Sequence, residues 1–206
     1  MTKKLSDYKS DLLILLGDAS GRRYSDDILK MALRQALATF GEYWPNKYSI
    51  EADISSYEGS LAVLATSPDA GTVILTVQRK STGEWLDFAD YRTGANTYIA
   101  LYGQKIRPEV GETLVLGLAI PHTIKDLDLK TDTTVPDIYS GIVETGAAAE
   151  AVRIRARSVT EVFGKRPEDV ERLDLHAKAL EEEFYRQLGG LLDSPIDPYP
   201  RGGFPV

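Results

Sequence analysis

The stretch TTVPDIYSGIVETGAAAEAVRIRARSVTEVFG, residues 133–164, is where the period of the chain changes. Before it, apolar and polar residues alternate, the two-residue repeat of a strand; within it, apolar residues recur at threes and fours, the repeat of a helix. Thr134 or Pro136 opens the helix. Ile138, Ile142, Thr145, Ala149, Val152, Ala156, Val159 and Phe163 then trace one packed seam until Gly164 breaks it.

Downstream, Pro167 starts another helix, with Glu168 and Asp169 complementing the positive end of its dipole. Its seam runs through Val170, Leu173, Ala177, Leu180, Phe184, Leu188 and Leu191. Each helix takes about 24 to 26 residues, on the order of 36 to 39 Å at 1.5 Å per residue. The short Gly-Lys-Arg-Pro connection predicts that the two pair antiparallel. The last segment, DSPIDPYPRGGFPV at 193–206, holds four prolines that remove backbone donors, so it reads as an extended arm anchored by Ile196, Tyr199 and Phe204.

Upstream, YSIEADI, SLAVLAT, GTVILTVQRK, NTYIALYG and ETLVLGLAIP, all between Tyr48 and about Lys130, are β-branched or aromatic runs separated by turn residues. They predict a small antiparallel sheet or barrel of about five or six strands. Two short antiparallel helices precede them. Ser6 caps the first, which puts Leu5, Tyr8, Leu12, Leu15 and Leu16 on one face and ends at Gly17. After the turn GDASGRRY, Ser25 caps the second, whose face runs through Ile28 or Leu29, Ala32, Leu33, Ala36, Leu37, Phe40 and Trp44 to Pro45.

The expected fold class is therefore α+β: a helical bundle, two short N-terminal helices plus two long C-terminal ones, with an inserted antiparallel β-domain and an extended C-terminal arm. Residues 1–46 and 134–192 form the bundle domain, 47–133 the β-rich insertion and 193–206 the arm.

Composition narrows the chemistry. The 206 residues include no cysteine, which removes disulfides, thiolate catalysis and cysteine-ligated zinc. The start, MTKKLSDYKSDLLILLGD, is read as a helix because Asp7, Lys9 and Asp11 interrupt its apolar run. No window approaches a membrane span. A net charge of −7 argues against tight binding to nucleic-acid phosphates, though not against a wall past which DNA slides.

Candidate chemical groups are sparse. His122 and His176 are far apart in the sequence and neither sits in a spacing such as His-x-x-x-His that places two imidazoles on one metal, and DLDLKTD, 126–132, lacks the glycine and terminal glutamate of a calcium loop. A hydrolytic site would have to be assembled from Asp126, Asp128 and His122. Neither a glycine-rich phosphate loop nor a nucleophile elbow is present, so no enzyme, no cofactor and no metal are expected. Glu181 to Glu183 form a solvated face. Arg153 and Arg157 sit one turn apart near Glu150 and Glu161, as a salt-bridged stripe, as ion pairs between subunits or as the lining of a channel. Ala147, Ala148 and Ala149 suit either core packing or close approach of subunits. Tyr43 and Trp44 suit a local core plug or a binding box.

In their order along the chain, LLGD, GRRYSDD, FGEYWP, IPHTIKDLD and TTVPDIYSGIVETGAAAEA, followed by a long charged helix, resemble the head-to-tail adaptor (connector) proteins of tailed bacteriophages. The resemblance spans about residues 5 to 190 and departs from the simplest, nearly all-helical adaptors in its middle β-region. It implies a structural virion protein: a homo-oligomeric ring, commonly a dodecamer, in the neck at the head–tail junction. Such a ring, assembled in the host cytoplasm, binds the portal protein on one side and a tail or neck protein on the other. It gives transient passage to double-stranded DNA and has no membrane partner.

For the arm the resemblance implies a grip on the portal or a neighbouring subunit through Pro195, Ile196, Pro198, Tyr199, Pro200, Arg201 and Phe204. Subunit packing falls to Ala147, Ala148, Ala149, Arg153 and Arg157. The alternatives are another neck or tail protein, a stopper or tail-completion protein, or a peptide- or glycan-binding module carried on a helical oligomerisation domain. Tyr91, Tyr98 and Tyr102 would form the site of that module.

Overall fold

The structure, a computed structural model, describes residues 2–69, 72–93, 96–102, 107–161 and 167–192. The described residues of Met1–Trp44 and His122–Val206 make one compact unit, and those of Pro45–Pro121 make another. The first holds helices α1 (Leu5–Leu15), α2 (Asp26–Tyr43), α3 (Ser140–Glu161) and α4 (Pro167–Leu192), with two 3-10 turns at Leu127–Leu129 and Asp137–Tyr139. The second holds strands β1 (Asn46–Glu58), β2 (Leu61–Leu64), β3 (Val73–Arg79), β4 (Trp85–Thr93), β5 (Asn96–Tyr102) and β6 (Thr113–Ile120).

These elements correct the expected fold class. In place of a helical bundle with an inserted β-domain, the chain has four helices and a closed six-stranded antiparallel β-barrel, a mixed α+β protein. The expected arm, 193–206, lies outside the described residues. Period-two alternation marks strands but carries no information on closure, which depends on register. Here the order is β1-β2-β5-β4-β3-β6, with β6 returning to β1. The long β1 makes this possible, because Asn46–Asp53 pairs with β6 while Ile54–Glu58 turns onto β2, with an irregularity between Ile54 and Ser56. A second irregularity lies between Ile74 and Thr76 in β3. Such bulges bend and twist a strand, as closure requires. Gly117 of β6 faces Thr76, whose hydroxyl occupies the place a β-carbon would take.

Inside the barrel Ala52, Ile54, Leu64, Val77, Leu86, Ile99, Leu114, Leu116 and Leu118 form a closed apolar core. Each large aliphatic side chain buried there contributes roughly 1.5–3 kcal/mol. Arg79, also buried, is neutralised by Glu112 at 2.9 Å and Glu84 at 3.4 Å.

In the helical unit α3 is the element the others pack on. It meets α4 and α2 over its length, and α1 more briefly. Gly146 meets Phe184 and Arg153 meets Glu181, contacts that step in opposite directions along α3 and α4, so the pair is antiparallel. Of the seam expected on α3, Ala149 is buried and Ile142 packs half-buried against the core, Phe163 lies outside the described residues, and the ends differ. Val152, Ala156 and Val159 are buried, but Ile138 is 69% exposed, and the first half is also buried through Tyr139, Val143, Ala147, Ala148 and Ala151. A helix covered on several sides has no single stripe, so periodicity fixes its phase poorly. On α2 and α4, covered on one side, the expected faces are the buried ones: Leu29, Ala32, Leu33, Ala36, Leu37 and Phe40, and Ala177, Phe184, Leu188 and Leu191.

Caps follow the same division. The Ser25 hydroxyl accepts from the Ile28 N–H at 3.4 Å, as its position before two aspartates suggests. The first helix instead starts two residues earlier than a Ser6 cap would place it: Lys4 is the N-cap, and its N–H donates to Asp7 at 3.0 Å.

Candidate functional site

The GDASGRRY turn owes its shape to a single carboxylate. Asp18, buried at the end of α1, accepts from the backbone N–H of Arg23 at 2.7 Å, of Tyr24 at 3.1 Å and of Arg22 at 3.2 Å, and from the Ser20 hydroxyl. Burial works to raise its pKa, but the N–H groups of Arg23 and Tyr24 outweigh it and hold the carboxyl below the usual aspartate range. Tyr24 is thereby buried under the guanidinium of Arg155, 5.1 Å from its ring centroid.

Among the residues named for subunit packing, Ala147, Ala148 and Ala149 are buried within this chain. Their small size is matched to contacts of α3 with its own neighbours. Arg153 joins α3 to α4, with Glu150 at 2.9 Å and Glu181 at 2.7 Å, while Arg157 is exposed. The arm residues Pro195, Ile196, Pro198, Tyr199, Pro200, Arg201 and Phe204 lie outside the described residues.

His122 is part of the scaffold. Its Nε2 lies 2.7 Å from the carbonyl of Trp44 and must donate to it, so Nδ1 accepts from the Thr134 hydroxyl at 3.1 Å. The same hydroxyl accepts from the Thr123 N–H at 2.8 Å. Burial pushes the imidazole below the usual histidine pKa. The structure does not bring His122 together with Asp126 and Asp128 in one site: both imidazole nitrogens are engaged, and Asp128 is held by Arg34 at 2.8 Å. Among the described residues no group of three or more His, Asp or Glu side chains is placed to hold a metal ion. Trp44 packs edge-on against Tyr139 at 5.2 Å and Tyr43 lies 6.3 Å from Tyr185, the local plug rather than the box.

The three tyrosines of the β-region do share a face. Tyr91 sits opposite Tyr98 on β4 and β5, and the side chain of Tyr91 is hydrogen-bonded to Tyr102 across the Ala89–Ala100 pair, which raises the Tyr102 phenol. Tyr91, Tyr102 and Trp85 are exposed.

The feature the sequence did not disclose is the loop after His122. Asp126, Asp128 and Leu129 all have left-handed backbone, with φ of 70°, 53° and 60°. Aspartate tolerates this region, but leucine does not without strain. Arg34 of α2 grips Asp128 through a pair of hydrogen bonds, and the Lys130 carbonyl accepts from the Asp126 N–H at 2.8 Å, so the loop is pinned at both ends. It holds Leu129 97% exposed. Elsewhere on this unit Ile14, Leu15, Met31, Ile138, Leu175 and Tyr185 are also exposed.

No protein-family model matches this sequence, and no curated protein matches it. No helix among the described residues is long and apolar enough to cross a membrane.

Proposed function

We propose that this protein is a structural subunit of a tailed-phage neck, a head-to-tail adaptor that forms a ring between portal and tail and leaves a conduit for double-stranded DNA. One observation carries the reading from the side of physics. Leu129 is held in strained backbone by the Arg34–Asp128 pair with almost its whole side chain in water. A single chain gains nothing from that arrangement, whereas a neighbouring subunit that covers Leu129 gains a rigid apolar anchor with no ordering cost. The order of sequence features shared with adaptors supplies the kind of assembly, and the net charge of −7 suits a wall that does not retain DNA.

The purified chain is expected to form rings under negative-stain electron microscopy or to bind purified portal protein. Removal of residues 194–206 should leave the helical content unchanged and weaken ring or portal attachment. A chain that stays monomeric at high concentration and ignores portal contradicts the proposal.

A second reading has its own observation: the Tyr91–Tyr98–Tyr102 face of the barrel, with Tyr91 and Tyr102 exposed, suits a peptide or glycan ligand. Saturable binding on a glycan or peptide array, lost on Tyr91→Ala, would favour it.

A further inference from the structure

Between the second half of α3, the first half of α4 and the turn after α1 lies a cavity of about 450 Å³. Arg23, Arg155, Arg172 and His176 line it, and Asp169 is the one carboxylate among its described lining residues. In a chain with 31 acidic against 24 basic residues, this local excess of guanidinium runs against the background charge. Arg172 lies 3.8 Å from Asp169, a loose contact between two exposed groups. Arg23 and Arg155 make no ion pair among the described residues.

The pocket is built rather than incidental. Asp18 fixes the backbone of Arg23 and Tyr24, and the buried Tyr24 ring holds Arg155 by its face. A guanidinium held over a ring face spends none of its N–H donors there, and their fork matches the oxygens of an oxyanion. The remaining lining is apolar, from Leu16, Val159 and Leu173. The volume is in the range of small-ligand sites, roughly 300–1,000 Å³, and a bare oxyanion would fill only part of it.

We infer that this cavity binds a phosphomonoester, with its phosphate among Arg23, Arg155 and Arg172 and its organic part on Leu16, Val159 and Leu173. Charge selects phosphate over carboxylate. Three guanidiniums and one carboxylate leave an excess of two positive charges, which a phosphate of about −1.5 to −2 at pH 7 balances and a carboxylate does not. The inference is independent of the assembly proposed above.

Isothermal titration calorimetry on the full chain tests it with phenyl phosphate, inorganic phosphate and benzoate. Phenyl phosphate should bind at one saturable site, more tightly than inorganic phosphate, which lacks the apolar part, and than benzoate, which lacks the second charge. Arg155→Gln and Arg172→Gln should each weaken it about tenfold. Arg172 is exposed, so its variant should unfold at the parent temperature and separate binding from folding. Three results would overturn the inference: no saturation by phenyl phosphate, affinity indifferent to both substitutions, or phenyl phosphate and duplex DNA binding with one common salt dependence.

Discussion

The ring of Phe184 on α4 occupies the place where Gly146 of α3 would carry a side chain: a β-carbon there would lie 2.7 Å from the ring tip. The two helices pack backbone against ring at this point, and Phe184 shares its core with Ala147, Ala148 and Ala151 of α3. Gly146→Ala should therefore cost stability despite the better helix propensity of alanine, by about 1–3 kcal/mol, as overpacked cores do. Thermal or urea unfolding measures it. The second substitution Phe184→Leu should recover part of the loss in the Gly146→Ala background, which a helix-propensity effect alone would not allow.

Leu129→Gly separates the interests of the chain from those of the proposed assembly. Glycine accepts the left-handed backbone that leucine resists, so the isolated chain should gain about 1 kcal/mol. If Leu129 is an anchor, the same variant should assemble less well. Unfolding midpoint and sedimentation velocity, measured on one preparation, should move in opposite directions.

Asp18→Asn tests the clamp of the turn. An amide gives up the charge that draws in the N–H groups of Arg22, Arg23 and Tyr24, so the variant should be less stable near neutral pH. Because the folded carboxyl titrates below its ordinary value of 3.8, the unfolded chain takes up a proton first as pH falls. The stability difference between parent and variant should be full above that value and close as the pH drops below it.

His122 gives a window nearer neutrality. The folded imidazole is held neutral below its ordinary pKa of 6.5, so the unfolded chain binds the proton more readily there. Stability should be full above about pH 6.5 and decline as the pH falls from there towards the depressed folded value. The parent should show that decline in urea midpoints, and His122→Gln should be flat across the same window.

Much of the helical unit is legible in the sequence because α2 and α4 each bury one stripe, and a stripe is what a period reveals. The Ser25 cap was legible for the same local reason. The phase of α3 was not, since Ala147, Ala148 and Ala151 are buried on more than one side. Strand β4 leaves little mark in the sequence because only Leu86 and Phe88 of its inward positions are apolar, while Asp90 and Arg92 on the same face interrupt the pattern. Closure of the barrel rests on two irregularities in register that leave no mark in composition.

The candidate surfaces divide in the same way. Asp18 before Gly21 and two arginines was a visible turn signal, although its three backbone partners were not. The strain at Leu129 had no signal at all, because a leucine with φ of 60° is held there by Arg34, 94 positions away from Asp128. Tyr91, Tyr98 and Tyr102 are named together from one tyrosine-rich stretch for the binding-module reading, and strand register brings them to one face.

The most direct test of the proposed assembly is electron cryo-microscopy of phage particles that carry this chain. The account predicts a closed ring of this chain between portal and tail, around the DNA path, with the side chain of Leu129 buried against a neighbour. A ring elsewhere in the particle, no copy at the neck, or a neck copy whose Leu129 remains in solvent would contradict it.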